Sequence, residues 1–205
     1  TGVENDLLDE DIEFKIANFK NNLFKKNSNL NGFRYNNWFS QKINPYLISE
    51  KGIGHALIGM TLGQFKKKID KQLVFQEAML ANGLKAIAVI FDNDVQYYLI
   101  FPQKVRIDDY SKIRMVVTNN PKYKTQDGIF SGLKVTKISS FLGIPTFSYN
   151  RDYPLEERLR FRKQPRWLIF SSYSKKRAGI YLTEFKLNAT KNYNQGANIQ
   201  FIGVR

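Results

Sequence analysis

The chain has 205 residues, 42% of them hydrophobic and 14% aromatic, enough apolar side chain to close a core and to exclude global disorder. It has no cysteine, which excludes thiol catalysis, thiolate metal sites and disulfides, and no apolar run near the roughly 20 residues of a membrane-spanning helix. Its 32 lysines and arginines against 18 acids give a formal charge of +14.

That charge is uneven. Residues 1–13 hold six acids (Glu4, Asp6, Asp9, Glu10, Asp11, Glu13) and no base, leaving 32 bases against 12 acids in the remainder. A body of that kind attracts acidic proteins, anionic lipid surfaces or nucleic acid. The plain reading of the same numbers is solubility, with the acidic N-terminus folded back on the basic body. A cysteine-free composition suits an oxidising compartment. The expected location is therefore periplasmic or otherwise exported, with lipoprotein anchoring ahead of Thr1 as a variant.

In chain order, Leu8, Ile12, Ile16, Phe19 and Leu23 fall at three- and four-residue spacings and predict an amphipathic helix over 6–26. Acids crowd its start, and Lys25 and Lys26 its end, as the helix dipole prefers. Residues 27–37 are Asn-rich and loop-like, and Asn44-Pro45 is a break. Residues 1–50 thus read as an N-terminal helical extension whose stripe needs a surface to dock on.

A first helix–sheet module is expected over 51–127. Thr61 is a natural N-cap for a short helix over 62–69, and strands follow at 73–80, 84–91, 95–101 and 113–118. Asn82-Gly83 and Asp92-Asn93-Asp94 are the turn signals between them. A second module is expected over 128–205. Its helix, 135–142, stops at Gly143 with Pro145 beyond, and strands are predicted at 146–149, 158–162, 167–173, 178–182 and 198–204.

Aligning Gly59 with Gly132 places Met60, Leu62, Phe65 and Ile69 on Leu133, Val135, Ile138 and Leu142. The chain writes one short amphipathic helix twice, each time ahead of several strands. The expectation is an α+β fold of two tandem helix-plus-antiparallel-meander modules, or one continuous domain, behind the N-terminal helix.

Gly59-Met60-Thr61 before a short helix resembles the helix start in small outer-membrane assembly lipoproteins and in tandem-repeat β-lactamase inhibitory proteins. The stretches N-P-K-Y-K-T-Q-D-G-I (120–129), F-S-Y-N (147–150), A-G-I-Y (178–181) and I-Q-F-I-G-V (199–204) are similar to an uncharacterised family of exported cyanobacterial proteins. The likeness covers about residues 52–205 and departs from the pattern at Phe130-Ser131 and in its arginine content. It implies an envelope location and a fold, and no reaction.

Chemistry-bearing residues are sparse. His55 is the only histidine, so a zinc site with three protein ligands is not expected, and no partner nucleophile is evident for general-base work. Asp92/Asp94 and Asp108/Asp109 are carboxylate pairs, the first at a predicted turn where Asp serves the backbone. Ser139-Ser140 has no evident base, and no phosphate-binding glycine pattern occurs. No catalytic residue, metal or cofactor is expected.

One constellation stands out: E-E-R-L-R-F-R-K-Q-P-R-W, residues 156–167. Strand alternation puts Leu159 and Phe161 on one face and Arg158, Arg160 and Arg162 on the other, a row about 13 Å long. Lys163, Arg166, Lys175, Lys176 and Arg177 extend it, and residues 151–177 carry nine bases against three acids. The expected function is a non-catalytic binding protein of the bacterial cell envelope, engaging an acidic partner or anionic surface through this basic face. A nucleic-acid-binding protein using the same face is the alternative. A solvated strand face that resists edge-to-edge aggregation is the plain reading.

Overall fold

The computed structural model describes residues 44–69, 72–80, 83–102, 106–150, 152–173, 176–181 and 188–205. The expected helix over 6–26 and the acidic segment 1–13 lie outside the described residues, which belong to one compact unit, Lys42–Arg205.

Helix α1 (Leu62–Lys68) forms where its cap predicts. The Thr61 hydroxyl accepts from Gln64 N–H at 3.1 Å, and the Gln64 side chain accepts from Thr61 N–H at 3.0 Å. The remaining free amides of the first turn are taken up by a distant loop: Leu62 N–H donates to Ser111 O and Gly63 N–H to Asp109 O. Lys66, Lys67 and Lys68 occupy the last turn, where the dipole favours cations. Helix α2 (Val135–Leu142) ends at Gly143, whose φ of +80° suits the residue without a Cβ, and Gly143 N–H donates to Ser139 O.

The strands build two sheets. In the larger, β4 (Val74–Met79), β5 (Lys85–Phe91), β6 (Asp94–Ile100) and β7 (Met115–Thr118) form one antiparallel meander. A second combines β9 (Pro145–Asn150), β10 (Tyr153–Phe161), β11 (Leu168–Tyr173) and β13 (Phe201–Val204), with β12 (Ala189–Thr190) outside β9. The two meet where β7 and β13 pair antiparallel, Ile202 opposite Thr118 and Val204 opposite Val116. The order across the sheet is β4-β5-β6-β7-β13-β11-β10-β9-β12. The smaller sheet joins β1 (Leu47–Ser49), β2 (Gly52–Ile53), β3 (Ala56–Leu57) and β8 (Lys124–Thr125), with β8 parallel to β1.

One face of the large sheet carries the main core. Phe65 from α1, Ile138 from α2 and Ile53 from the small sheet pack in one cluster with Leu99, Phe170 and Ile202 of the strands, all buried. Both helices and the small sheet therefore cover this face. The described residues are predominantly β, with two short helices and antiparallel sheets, a smaller share of helix than the expected α+β fold of two helix–sheet modules implies.

Three departures have local causes. No strand is found at 178–181: the pairing is confined to the Gly179–Tyr193 bridge, with Ile180 N–H donating to Asn192 O and Asn194 N–H to Ala178 O, and side chains described below fix the segment further. The last strand begins at Phe201 rather than 198, because Asn198 bridges Lys134 and Ile199 N–H donates to Leu133 O ahead of α2. The small sheet begins at Leu47, inside the segment read as extension, from strands of only two or three residues.

Candidate binding face of the large sheet

Alternation along each strand sends one set of side chains to the core and the next to the opposite face. In β10, Glu157, Leu159 and Phe161 are buried while Arg158 and Arg160 are exposed. On the neighbouring strands Ser171, Ile169, Phe201, Met115 and Ile100 share the face of the arginines. They line a trough of about 330 Å³ running from the β4–β5 turn, with Leu80 and Leu84, to the arginines of β10. Its floor is a small apolar cluster of Ala86, Ile100 and Val117 packed with Leu84, Tyr98 and Met115. Among the described residues, the members of that cluster come from the sheet and its β4–β5 turn.

Gly203 sets the depth of the trough. A Cβ there would stand 3.2 Å from Val117 Cγ2 and 3.5 Å from Ile169 Cβ, so a side chain would fill the floor. Arg160 is held at the rim, its guanidinium donating to Gln164 O at 3.2 Å. Arg158 Nε stands 4.0 Å from Glu156 Oε1; the Arg158 side chain is 65% exposed, whereas Glu156, which also lines the trough, is 13% exposed and sets one carboxylate beside the two arginines. The result is an apolar floor with two cations along one wall, suited to an anionic group carried on an apolar body.

The eight basic residues expected to act together are divided by the fold. Arg158 and Arg160 face the trough. Strand β10 ends at Phe161, so alternation no longer governs Arg162, which sits in the following turn with Lys163 and Arg166. The backbone there is tied to the end of α2, Lys163 N–H donating to Leu142 O at 2.8 Å. Arg177 lies on the core side of the sheet, its guanidinium 3.7 Å from the Tyr149 ring centroid and 5.7 Å from that of Tyr181. Lys176 is exposed beside it, and Lys175 lies outside the described residues. Among the described residues, seven of the eight therefore fall into three groups.

Sequence reasoning missed Glu157. It reads as one acid in a charged run, yet it is 1% exposed and its carboxylate accepts from Ala178 N–H (2.6 Å), Gly179 N–H (2.9 Å) and the Tyr181 hydroxyl (2.8 Å). Burial, then the bond to this carboxylate, pushes the Tyr181 hydroxyl well above its ordinary pKa. The alternation that placed Leu159 and Phe161 inward placed Glu157 inward as well, and this was the available signal.

The other candidates serve the backbone. Asp92 and Asn93 adopt φ of 50° and 63° in the two-residue turn between β5 and β6. Asp108 accepts from Tyr110 N–H and the Ser111 hydroxyl, and Asp109 pairs with Lys66 at 2.7 Å. Ser139 and Ser140 donate to helix carbonyls. His55 is half-buried in the β2–β3 turn, and burial, with a smaller contribution from Lys68, holds its pKa below the usual histidine value. Among the described residues no three His, Asp or Glu stand together as metal ligands, and no helix is long and apolar enough to cross a membrane.

The chain matches no protein-family model and no curated protein. Among solved structures it is similar to the crystal structure of the uncharacterized protein yfeY from Escherichia coli, with a TM-score of 0.51 and 14% identity over 77% of this chain and 98% of that one. At that identity the likeness is one of fold.

Proposed function

We propose that the chain is a non-catalytic binding protein of the bacterial cell envelope, whose trough-bearing sheet face engages an acidic partner. The observation that carries this reading is the placement of Arg158 and Arg160 on the wall of an apolar trough. Arginine suits the task because its planar fork grips a carboxylate through two hydrogen bonds and keeps its charge at any relevant pH. The apolar floor would supply affinity and the arginines orientation and selection against cationic partners.

The same reading takes each helix with the meander behind it as one module: α1 with β4 to β7, and α2 with β9, β10, β11 and β13. The aligned apolar positions and the pairing of the two final strands support a tandem repeat. The envelope location rests on the resemblance to exported proteins and on the cysteine-free composition. Nucleic acid remains the competing ligand. It is disfavoured because the arginine row shortens to two on this face and Phe161 is buried in the core.

The test is titration with an acidic amphipathic peptide, its Glu→Gln counterpart, and single- and double-stranded DNA at low and physiological salt. Preference for the acidic peptide supports the reading. Binding confined to DNA replaces it with the alternative, and indifference to all four leaves solubility as the purpose of the charge.

A further inference from the structure

We infer that the end of the molecule formed by α2 and the β10–β11 turn is a second, separate surface that seats on an anionic lipid bilayer. Two large apolar side chains project there: Phe141 is 49% exposed and Ile144 65%. Phe141 lies in the last turn of α2 and Ile144 directly after Gly143, so both carry their side chains out of the fold at the helix exit. The neighbouring turn is bound to this one by Lys163 N–H to Leu142 O at 2.8 Å and Arg162 N–H to Ile144 O at 3.3 Å. A Cβ on Gly143 would lie 3.3 Å from Arg162 Cβ, which places the arginine directly beside the apolar pair.

The charge around the pair has one sign. Lys137 precedes Phe141 by one helical turn, and Arg162, Lys163 and Arg166 occupy the adjoining turn, all exposed. No acid occurs over residues 128–151 or 158–183. Among the described residues none of these four bases has an ion-pair partner. Single exposed apolar residues need no explanation, but two at one helix exit beside four exposed bases match what a headgroup layer rewards. The cations meet lipid phosphates, and the phenyl and sec-butyl groups enter the acyl boundary. An acidic protein would satisfy the charges as well, whereas the exposed Phe141 and Ile144 side chains beside them suit an acyl layer.

This surface adjoins the trough at the β10–β11 turn, where Arg160 donates to Gln164 O, and the experiment separates the two through Arg158. The full chain is sedimented with phosphatidylcholine vesicles and with vesicles containing phosphatidylglycerol. Binding is expected only to the latter, and Phe141→Ser with Ile144→Ser should abolish it without changing the far-ultraviolet spectrum. Each of Arg162→Ala and Lys163→Ala should weaken it about fivefold, the usual contribution of one base at an anionic membrane surface. Arg158→Glu, which leaves the Arg160 bond to that turn intact, should leave vesicle binding in place while weakening peptide binding. Absence of vesicle binding by the unaltered chain, or binding that survives loss of both apolar side chains, overturns the inference whatever the peptide result.

Discussion

The Tyr181 hydroxyl donates to Glu157 Oε1 across 2.8 Å, from a segment that forms no strand to a carboxylate buried inside one. Two backbone amides, Ala178 and Gly179, donate to the same carboxylate, and Arg177 lies over the Tyr149 ring, 5.7 Å from the Tyr181 ring centroid. Residues 178–180 are bonded to residues 192–194 on one side by Ile180 N–H to Asn192 O and Asn194 N–H to Ala178 O, and the Glu157 carboxylate takes up the Ala178 and Gly179 amides on the other.

Glu157→Ala strands three donors and should cost roughly 2–5 kcal/mol, given about 1–3 kcal/mol for each buried donor left unpaired and partial rescue by water. Tyr181→Phe should cost about 1 kcal/mol. Urea unfolding gives the totals. Amide exchange at Ala178 and Gly179 should accelerate in Glu157→Ala before global unfolding does.

Phe65 and Ile138 are fully buried at equivalent positions of α1 and α2. Each replaced by Ala should lose roughly 2–5 kcal/mol through lost burial and the cavity left behind. If the two helices anchor equivalent modules, the losses should be similar in size. A negligible loss at either site would show that its helix is dispensable to the core.

Thr61→Ala removes the acceptor for Gln64 N–H and should lower stability by about 1 kcal/mol. Thr61→Asn should recover most of that loss, because the replacement also caps. Thermal unfolding of the two variants side by side is the check.

His55 supplies a pH signature. Its folded pKa lies below the unfolded value near 6.5, so the unfolded chain binds the proton more readily. Stability is therefore unaffected above about pH 6.5 and falls as pH drops below it. His55→Gln should flatten that part of the curve relative to the unaltered chain, measured as urea midpoints from pH 7.5 to 5. Because the chain has one histidine, no other imidazole contributes.

Much of the sheet was legible because its signals are local. Strands β4, β5 and β6 lie within two residues of expectation, and Asp92-Asn93 makes the turn that its tolerance of positive φ predicts. Thr61 and Gly143 mark helix ends by capping chemistry that four or five residues encode. The pairing of β7 with β13 was not legible, since the two strands are more than eighty residues apart and nothing in either names the other. The small sheet was missed because strands of two residues have no period. At the basic run, alternation correctly placed Arg158 and Arg160, then failed at Arg162, where the strand ends. Periodicity describes a strand only while it lasts, so the three groups of bases could be separated only by knowing where the turn begins.

The central claim is that the trough, and not the charge of the chain as a whole, selects an acidic partner. The direct measurement is the affinity of the acidic amphipathic peptide for Arg158→Glu/Arg160→Glu and for Lys51→Glu/Lys67→Glu, two variants of equal net charge. Lys51 and Lys67 are exposed, in the β1–β2 turn and on α1, on the helix side of the large sheet. The account predicts that the first variant loses at least tenfold and most of its salt dependence, while the second stays within about twofold of the unaltered chain, as screened distant charges should. Equal losses in the two variants would contradict it and reduce the binding to nonspecific attraction.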